Sequence, residues 1–253
     1  MLLAIDIGNT NTVLGVFEGA DLKQSWRIKT DSRNTADELA LTYRGLLADF
    51  DVTGIAACST VPAAMRELRT MLARYYAAVH TVLVEPGVRT GVSVVMDNPK
   101  EVGTDRICNT IAAHHLIAGP VIVVDFGTST NFDVVSAKGE FVGGALAPGI
   151  EISVDALAAR AAQLRKVELV EPRSPIGKNT VEALQSGILY GFAGQVDGMV
   201  RRIRKALVPN DPDSVTVIAT GGLAPLAIAH SETVDRYEPD LTLLGLRLIY
   251  ERN

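Results

Sequence analysis

The chain opens on an apolar run, MLLAI, that ends at Asp6. The turn-formers Gly8 and Asn9 follow, and then an alternating segment from Thr12 to Phe17. Period-two alternation on either side of such a turn predicts a β-hairpin, and Leu22 to Lys29 predicts a third strand. From Thr35 to Phe50 the apolar residues Leu39, Tyr43, Leu46 and Leu47 fall on one face of a helix. Thr35 is its expected N-cap and Glu38 completes a capping box. Gly54 to Ser59 reads as a buried strand. Pro62 opens a helix carrying Met65, Leu68, Met71 and Leu72, and Val79 to Val84 reads as another strand. The first half is thus βββαβαβ.

After Gly119-Pro120 the order starts again. VIVVDFG, TNFDVVS and EFVGGALA predict three strands, helical patterns begin near Ile150 and Asn179, and VTVIAT predicts a further strand. A helix near Leu241 to Tyr250 is expected to close the second half. The repeat is one of element order, since the halves share little residue identity. The expectation is a two-lobed α/β protein, lobes 1–119 and 120–253, each a mixed β-sheet flanked by helices, sharing a cleft.

Composition narrows the function. The chain has 253 residues, 47% hydrophobic and 21% charged, enough to bury a substantial core. A net charge of −5 without a basic run argues against nucleic acid as a partner. Cys58 and Cys108 are too few for a disulfide framework or a zinc cage, which points to a reducing compartment. No basic leader and no stretch of about 20 apolar residues is visible, so the expectation is a cytoplasmic chain with no membrane partner.

The candidate chemistry sits at the strand-to-turn junctions. Asp6, Gly8, Asn9, Thr10 and Thr12 offer backbone N–H groups and hydroxyls beside a carboxylate suited to Mg²⁺. The device recurs at Asp125, Gly127, Thr128, Ser129 and Thr130. Either copy alone could be a polar hairpin turn. Two copies, one at the start of each repeat, could grip a polyphosphate, and Thr220-Gly221-Gly222 supplies a turn against which a nucleoside could lie. A Rossmann reading fails for want of G-x-G-x-x-G after the first strand. A P-loop reading fails because Asn179 follows Gly177-Lys178 and the preceding glycine is missing. In DNPKEVGTDR, Asp105 either caps the helix ICNTIAAHHL or accepts a hydroxyl proton, and Arg106 beside it can pair with an anion. The four histidines lack paired ligands at metal spacing, and Cys108 reads as a small buried hydrophobe.

The order of two hairpins and a glycine turn resembles that of the actin, Hsp70 and sugar-kinase superfamily. MLLAIDIGNTNT, DNPKEVGTDR, VVDFGTSTNFDVV, GGALAPG and PRSPIGKNTVEALQSG, in that order, resemble type III pantothenate kinase along nearly the whole chain. The resemblance implies a duplicated actin-like ATPase fold of ribonuclease H type and transfer of the ATP γ-phosphate to pantothenate, giving 4′-phosphopantothenate for coenzyme A synthesis. By the same resemblance Asp6, Ile7, Gly8, Asn9, Thr10, Asn11, Thr12 and Val13 form the ATP phosphate loop, with Mg²⁺ at Asp6, and Thr128 is a further ATP contact. Gly103, Thr104, Asp105, Arg106 and Thr180 bind pantothenate, Asp105 is the proton acceptor, and Asp125 holds K⁺ or NH₄⁺. A homodimer is also implied. Thr104, Asn131 and Met96 depart from residues common in the family, Met96 replacing a substrate-contacting tyrosine. A non-catalytic regulator of the same family, or a superfamily kinase with another small acceptor, are the alternatives.

Overall fold

The structure is a computed structural model in which residues 1–160 and 167–253 are described. Contacts divide the chain into two compact units. The first comprises Met1–Ser93, Asp97–Ala112 and Asp240–Asn253, and the second comprises Val94–Met96 and Ala113–Pro239.

In the first unit β1 (Leu2–Ile7), β2 (Asn11–Glu18) and β3 (Asp21–Lys29) form an antiparallel meander, and β4 (Gly54–Ser59) and β5 (His80–Leu83) add in parallel on the other side of β1. The strand order is β3-β2-β1-β4-β5. Alternation along β1 sends Leu3, Ile5 and Ile7 into one core, with Tyr43 of α1 (Ala36–Leu46) and Leu68 and Met71 of α2 (Pro62–Tyr75). The α1 capping box forms as expected, with Thr35 N donating to Glu38 Oε2 at 2.8 Å and Thr35 Oγ1 accepting from Glu38 N.

The opposite face of the same strands carries Ala4, Ala56 and Cys58. It packs with Cys108 and Ile111 of α3 (Thr104–Leu116) and with Leu243, Leu246 and Ile249 of α7 (Leu241–Tyr250). The terminal helix therefore does not close the second half; its packing is with the first sheet. Gly245 explains how it fits so closely: a Cβ there would lie 2.1 Å from the Cys108 carbonyl oxygen, so the α7 and α3 backbones meet only because the position has no side chain.

In the second unit β6 (Val121–Phe126), β7 (Ser129–Val135) and β8 (Phe141–Pro148) form the meander, with β9 (Thr216–Thr220) and β10 (Arg236–Tyr237) in parallel beyond β6. The order β10-β9-β6-β7-β8 repeats the first sheet strand for strand. Even the irregularities match: β2 slips register between Val16 and Phe17, and β7 between Val134 and Val135. Ile122, Val124 and Phe126 face a core built with α4 (Ile150–Arg160), α5 (Thr180–Leu207) and the short α6 (Ala224–Ile228). The elements α6 and β10 were not foreseen from the pattern. Among the described residues no helix is long and apolar enough to cross a membrane.

Candidate active site

Asp6 stands near the end of β1, and alternation turns it to the face of Ala4 and Cys58, the side that α3 and α7 cover. Its partner across the parallel ladder is Cys58, whose Sγ donates to Asp6 Oδ1 at 3.4 Å. The hairpin beyond turns tightly. Gly8 N donates to the Asn11 carbonyl at 3.0 Å, Thr30 N to the Thr10 carbonyl at 3.0 Å, and the hydroxyls of Thr12 and Thr30 lie 2.8 Å apart. Asn9 and Thr10 at the tip are exposed. A loop of this kind presents polar groups outward from the end of a rigid sheet, which suits anion binding.

The second candidate segment arrives at the same place. Thr104, Asp105 and Arg106 form the first turn of α3. Ser59 ties this turn to the sheet: its hydroxyl donates to the Ile7 carbonyl at 3.2 Å, and its own carbonyl accepts from Thr104 Oγ1 at 3.3 Å. Asp105 Oδ1 accepts from Arg106 N at 2.8 Å, so part of its role is indeed to satisfy a first-turn N–H. Gly103 lies close under this carboxylate: a Cβ there would sit 2.5 Å from Asp105 Oδ1 and would push the side chain aside.

Burial pushes the Asp105 carboxyl above the ordinary carboxylate range, opposed by the Arg106 N–H and by the Arg106 charge. The Cys58 thiol is pushed up too, first by its hydrogen bond with Cys108, then by burial, and then by the negative charge of Asp6 and Asp105. The first unit therefore gathers two carboxylates around a buried thiol. Beside them opens a cavity of about 480 Å³ lined by Ser59, Thr60, Met65, Arg69, Val84 and Thr104.

Among the described residues no group of three or more His, Cys, Asp or Glu gathers to hold a metal ion. A divalent ion at Asp6 would thus be held by a carboxylate and by the phosphates of its nucleotide, the donor set Mg²⁺ favours. The residues fit that mode and not a dedicated metal cage.

Asp125, Thr128 and Thr180 belong to the second unit. Asp125 takes the position on β6 that Asp6 takes on β1, paired with Thr220 across the parallel ladder. Gly127 N donates to the Ser129 carbonyl at 3.0 Å, and Ser129 Oγ donates to Asn131 Oδ1 at 2.8 Å. The glycine turn after β9 lies directly against this hairpin. Gly221 has φ +93°, and a Cβ on it would lie 2.7 Å from Asp125 Oδ1 and 2.6 Å from the Phe126 carbonyl oxygen. The structure thus brings Thr220-Gly221-Gly222 against Asp125, an adjacency the sequence had not indicated.

Thr180 is the first residue of α5, exposed, and positioned by an elaborate cap. Asn179 Oδ1 accepts from Glu182 N at 2.9 Å, and Glu182 in turn accepts from Lys178 N at 3.0 Å and from Arg173 Nε at 2.5 Å. Much of the PRSPIGKNT segment therefore builds this helix start. Cys58, Ser59 and Gly149 were not singled out from the sequence. Gly149 packs so closely on the second hairpin that a Cβ would lie 2.3 Å from the Thr128 carbonyl oxygen.

A sequence model of the type III pantothenate kinase family matches residues 2–202. The chain belongs to the type III pantothenate kinase family. It is 67% identical to the type III pantothenate kinase of Frankia alni and 68% identical to that of Frankia casuarinae, each over 253 residues and the full length of both chains. Among solved structures, a ROK family glucokinase from Streptomyces griseus in complex with glucose and AMPPNP superimposes with a TM-score of 0.53 at 12% identity, covering 100% of this chain and 99% of the other. Two like sheets flanked by helices are the duplicated actin-like ATPase fold.

Proposed function

We propose that the Asp6 hairpin and the first turn of α3 form the catalytic end of a pantothenate kinase site, in which ATP phosphorylates the primary hydroxyl of pantothenate. The carrying observation is the convergence of Asp6 and the first turn of α3 with Asp105 at the C-terminal ends of β1 and β4, beside Cys58. Residues Asp6 to Val13 bind the ATP phosphates, and Mg²⁺ held at Asp6 supplies charge neutralisation on the transferring phosphoryl group. Asp105 accepts the hydroxyl proton as the oxygen attacks, and Gly103, Thr104 and Arg106 hold the acceptor, which the cavity beside Thr104 can admit. Burial of Asp105 favours this role, because a carboxylate with a raised pKa is a stronger base than an ordinary one.

Thr128 contacts ATP, Thr180 contacts pantothenate, and Asp125 holds K⁺ or NH₄⁺. Support for the cation reading is the setting of Asp125, whose carboxylate lies against the Gly221 turn in the second hairpin. The chain acts in the cytoplasm, a reading its two free buried cysteines support, and as a homodimer, as its family resemblance implies.

Asp105→Asn is the test. The variant is expected to keep ATP binding and to lose turnover by about 10²–10⁴-fold, as removal of a general base does. A kcat near that of the parent would overturn the assignment of Asp105. A panel of small alcohols and sugars offered with ATP tests the acceptor, with phosphorylation of pantothenate alone expected.

A further inference from the structure

Ser59 ends β4 level with Ile7 in the parallel ladder, and no step of the proposed reaction uses it. Its hydroxyl has one hydrogen, which faces the carbonyl oxygens of Ile7 and Val61 at 3.2 Å each, and its oxygen accepts from Val61 N at 2.9 Å. Its carbonyl oxygen accepts from Thr104 Oγ1 at 3.3 Å. One residue therefore touches both the last residue of β1, from which the Asp6 hairpin departs, and the first residue of α3, which carries Asp105 in its first turn. The sheet itself does not need this link. Thr60 N donates to the Ile7 carbonyl at 3.1 Å, so the backbone ladder continues without the hydroxyl. In the second sheet the residue that follows the Asp125–Thr220 pair, as Ser59 follows Cys58, is Gly221, which has no side chain to make such a bridge.

We infer that Ser59 is a positioning residue for phosphoryl transfer: as a crosspiece between Ile7 and Thr104 it fixes the separation of the phosphate hairpin and the Asp105 carboxylate. Transfer requires the acceptor oxygen, held at Asp105, to meet the γ-phosphate in line, and a misplacement of about 1 Å costs about 10²-fold in rate. The hairpin leaves a strand end and Asp105 sits at a helix start, so their separation is set by whatever joins the two elements. Ser59 is bonded to both, and it lines the cavity beside Thr104. It exchanges no proton in the reaction and acts through the hairpin and Asp105. The inference rests on the reading of the Asp6 hairpin as the ATP loop and of Asp105 as the base.

The experiment compares Ser59→Ala, Ser59→Thr, Thr104→Val, the double variant Ser59→Ala with Thr104→Val, and Asp105→Asn with the parent. Calorimetry measures the affinities for MgATP and for pantothenate, steady-state assays give kcat, and thermal melts establish that each variant is folded at the assay temperature. Ser59→Ala is expected to lower kcat about tenfold, the scale of a misplacement below 1 Å, with both affinities within about twofold of the parent's. Ser59→Thr keeps the hydroxyl and should restore most of the loss. Thr104→Val removes the other arm, and the double variant should lose less in kcat than the product of the two single losses, because both arms serve one link. An unchanged kcat in Ser59→Ala, an equal loss in Ser59→Thr, or strictly multiplicative losses in the double variant would overturn the crosspiece. So would a loss of activity carried by weaker binding of either ligand in Ser59→Ala. Asp105→Asn separates the two readings. If it loses turnover while Ser59→Ala keeps it, only the serine inference fails; if it keeps turnover, the reading of Asp105 fails and the inference with it.

Discussion

Across the parallel ladder from Asp6 stands Cys58, and across the same ladder from Asp125 stands Thr220. The two sheets agree in strand order, in pairing direction and in the place of their bulges, so the difference at these equivalent positions is a difference of use. In the first unit the aspartate lies over a buried thiol, with a second carboxylate brought in on α3. In the second it lies against a glycine turn whose backbone comes within contact of its Oδ1. The hairpins differ as well: Ile7 pairs with Thr12, whereas Phe126 pairs with Thr130, so the second turn is one residue shorter. One scaffold thus offers a carboxylate coupled to side chains and a carboxylate coupled to backbone, which fits the proposed split between a metal and base centre and a cation site.

The strongest way to break this contrast is to neutralise each aspartate in turn. Asp6→Asn is expected to cost about 10³-fold in turnover whether K⁺ or Na⁺ is present, the scale of losing an electrostatic contributor to the transition state. The parent is expected to prefer K⁺ over Na⁺ in a coupled ADP assay, and Asp125→Asn should erase that preference. Equal losses in both variants, indifferent to the salt, would leave the two hairpins functionally equivalent.

A second comparison concerns the glycines. Gly221→Ala must adopt φ +93° and meet Asp125 and the Phe126 carbonyl, so it should destabilise by roughly 3 kcal/mol in a denaturant melt. Gly8→Ala meets only the Asn11 carbonyl oxygen at 3.1 Å and should cost about 1 kcal/mol or less. A reversed order would mean that the first turn, not the second, is the tighter.

Asp105 gives a pH test within the first unit. Its carboxyl titrates above the unfolded value of 3.8, so the native state holds its proton longer than the unfolded chain does. Its contribution is then most favourable below the unfolded value and is lost as pH rises through the native one. Asp105→Asn should accordingly melt higher than the parent at neutral pH, with the gap closing in acid. Asp197, in the second unit, runs the other way. Burial raises its pKa, but Ser231, Glu232 and Thr233 donate to it and hold the pKa down overall, so its contribution is present at neutral pH and lost as the carboxylate protonates in acid. The smallest effect belongs to Thr35→Ala, about 1 kcal/mol of stability from the broken capping box and no change in turnover.

Most strands were legible nearly to the residue because they are short apolar or alternating runs stopped by glycine, proline or a polar turn; Gly54–Ser59 was read with its exact limits. Thr35 announced its helix through a side chain that can cap, and the helical pattern near Asn179 marked the start of α5. What escaped had no local signal. Arg236–Tyr237 is two residues long, and α6 is five residues with Pro225 inside it. The allegiance of α7 was hidden for a different reason: Leu241, Leu243, Leu246, Leu248 and Ile249 are all buried, and a helix so apolar does not state which sheet it covers. In the site, Asp6, Gly103, Asp105 and the Gly221 turn were readable as polar or glycine residues at strand ends. Cys58 was not, because a buried cysteine within an apolar strand looks like any other core residue until its neighbour across the ladder is known.

The contact of Gly245 with Cys108 also sets an order of assembly. The second unit is almost continuous in sequence, from Ala113 to Pro239, and its strands and helices can meet as soon as that stretch has left the ribosome. The first sheet is made earlier, yet one of its faces has only α3 to cover it until Asp240–Asn253 has been synthesised. The cluster of Ala4, Ala56, Cys58 and Val82 therefore stays incomplete through the synthesis of the whole second unit, a long-range closure that slows folding and exposes apolar surface meanwhile. The part of the molecule translated first is completed last.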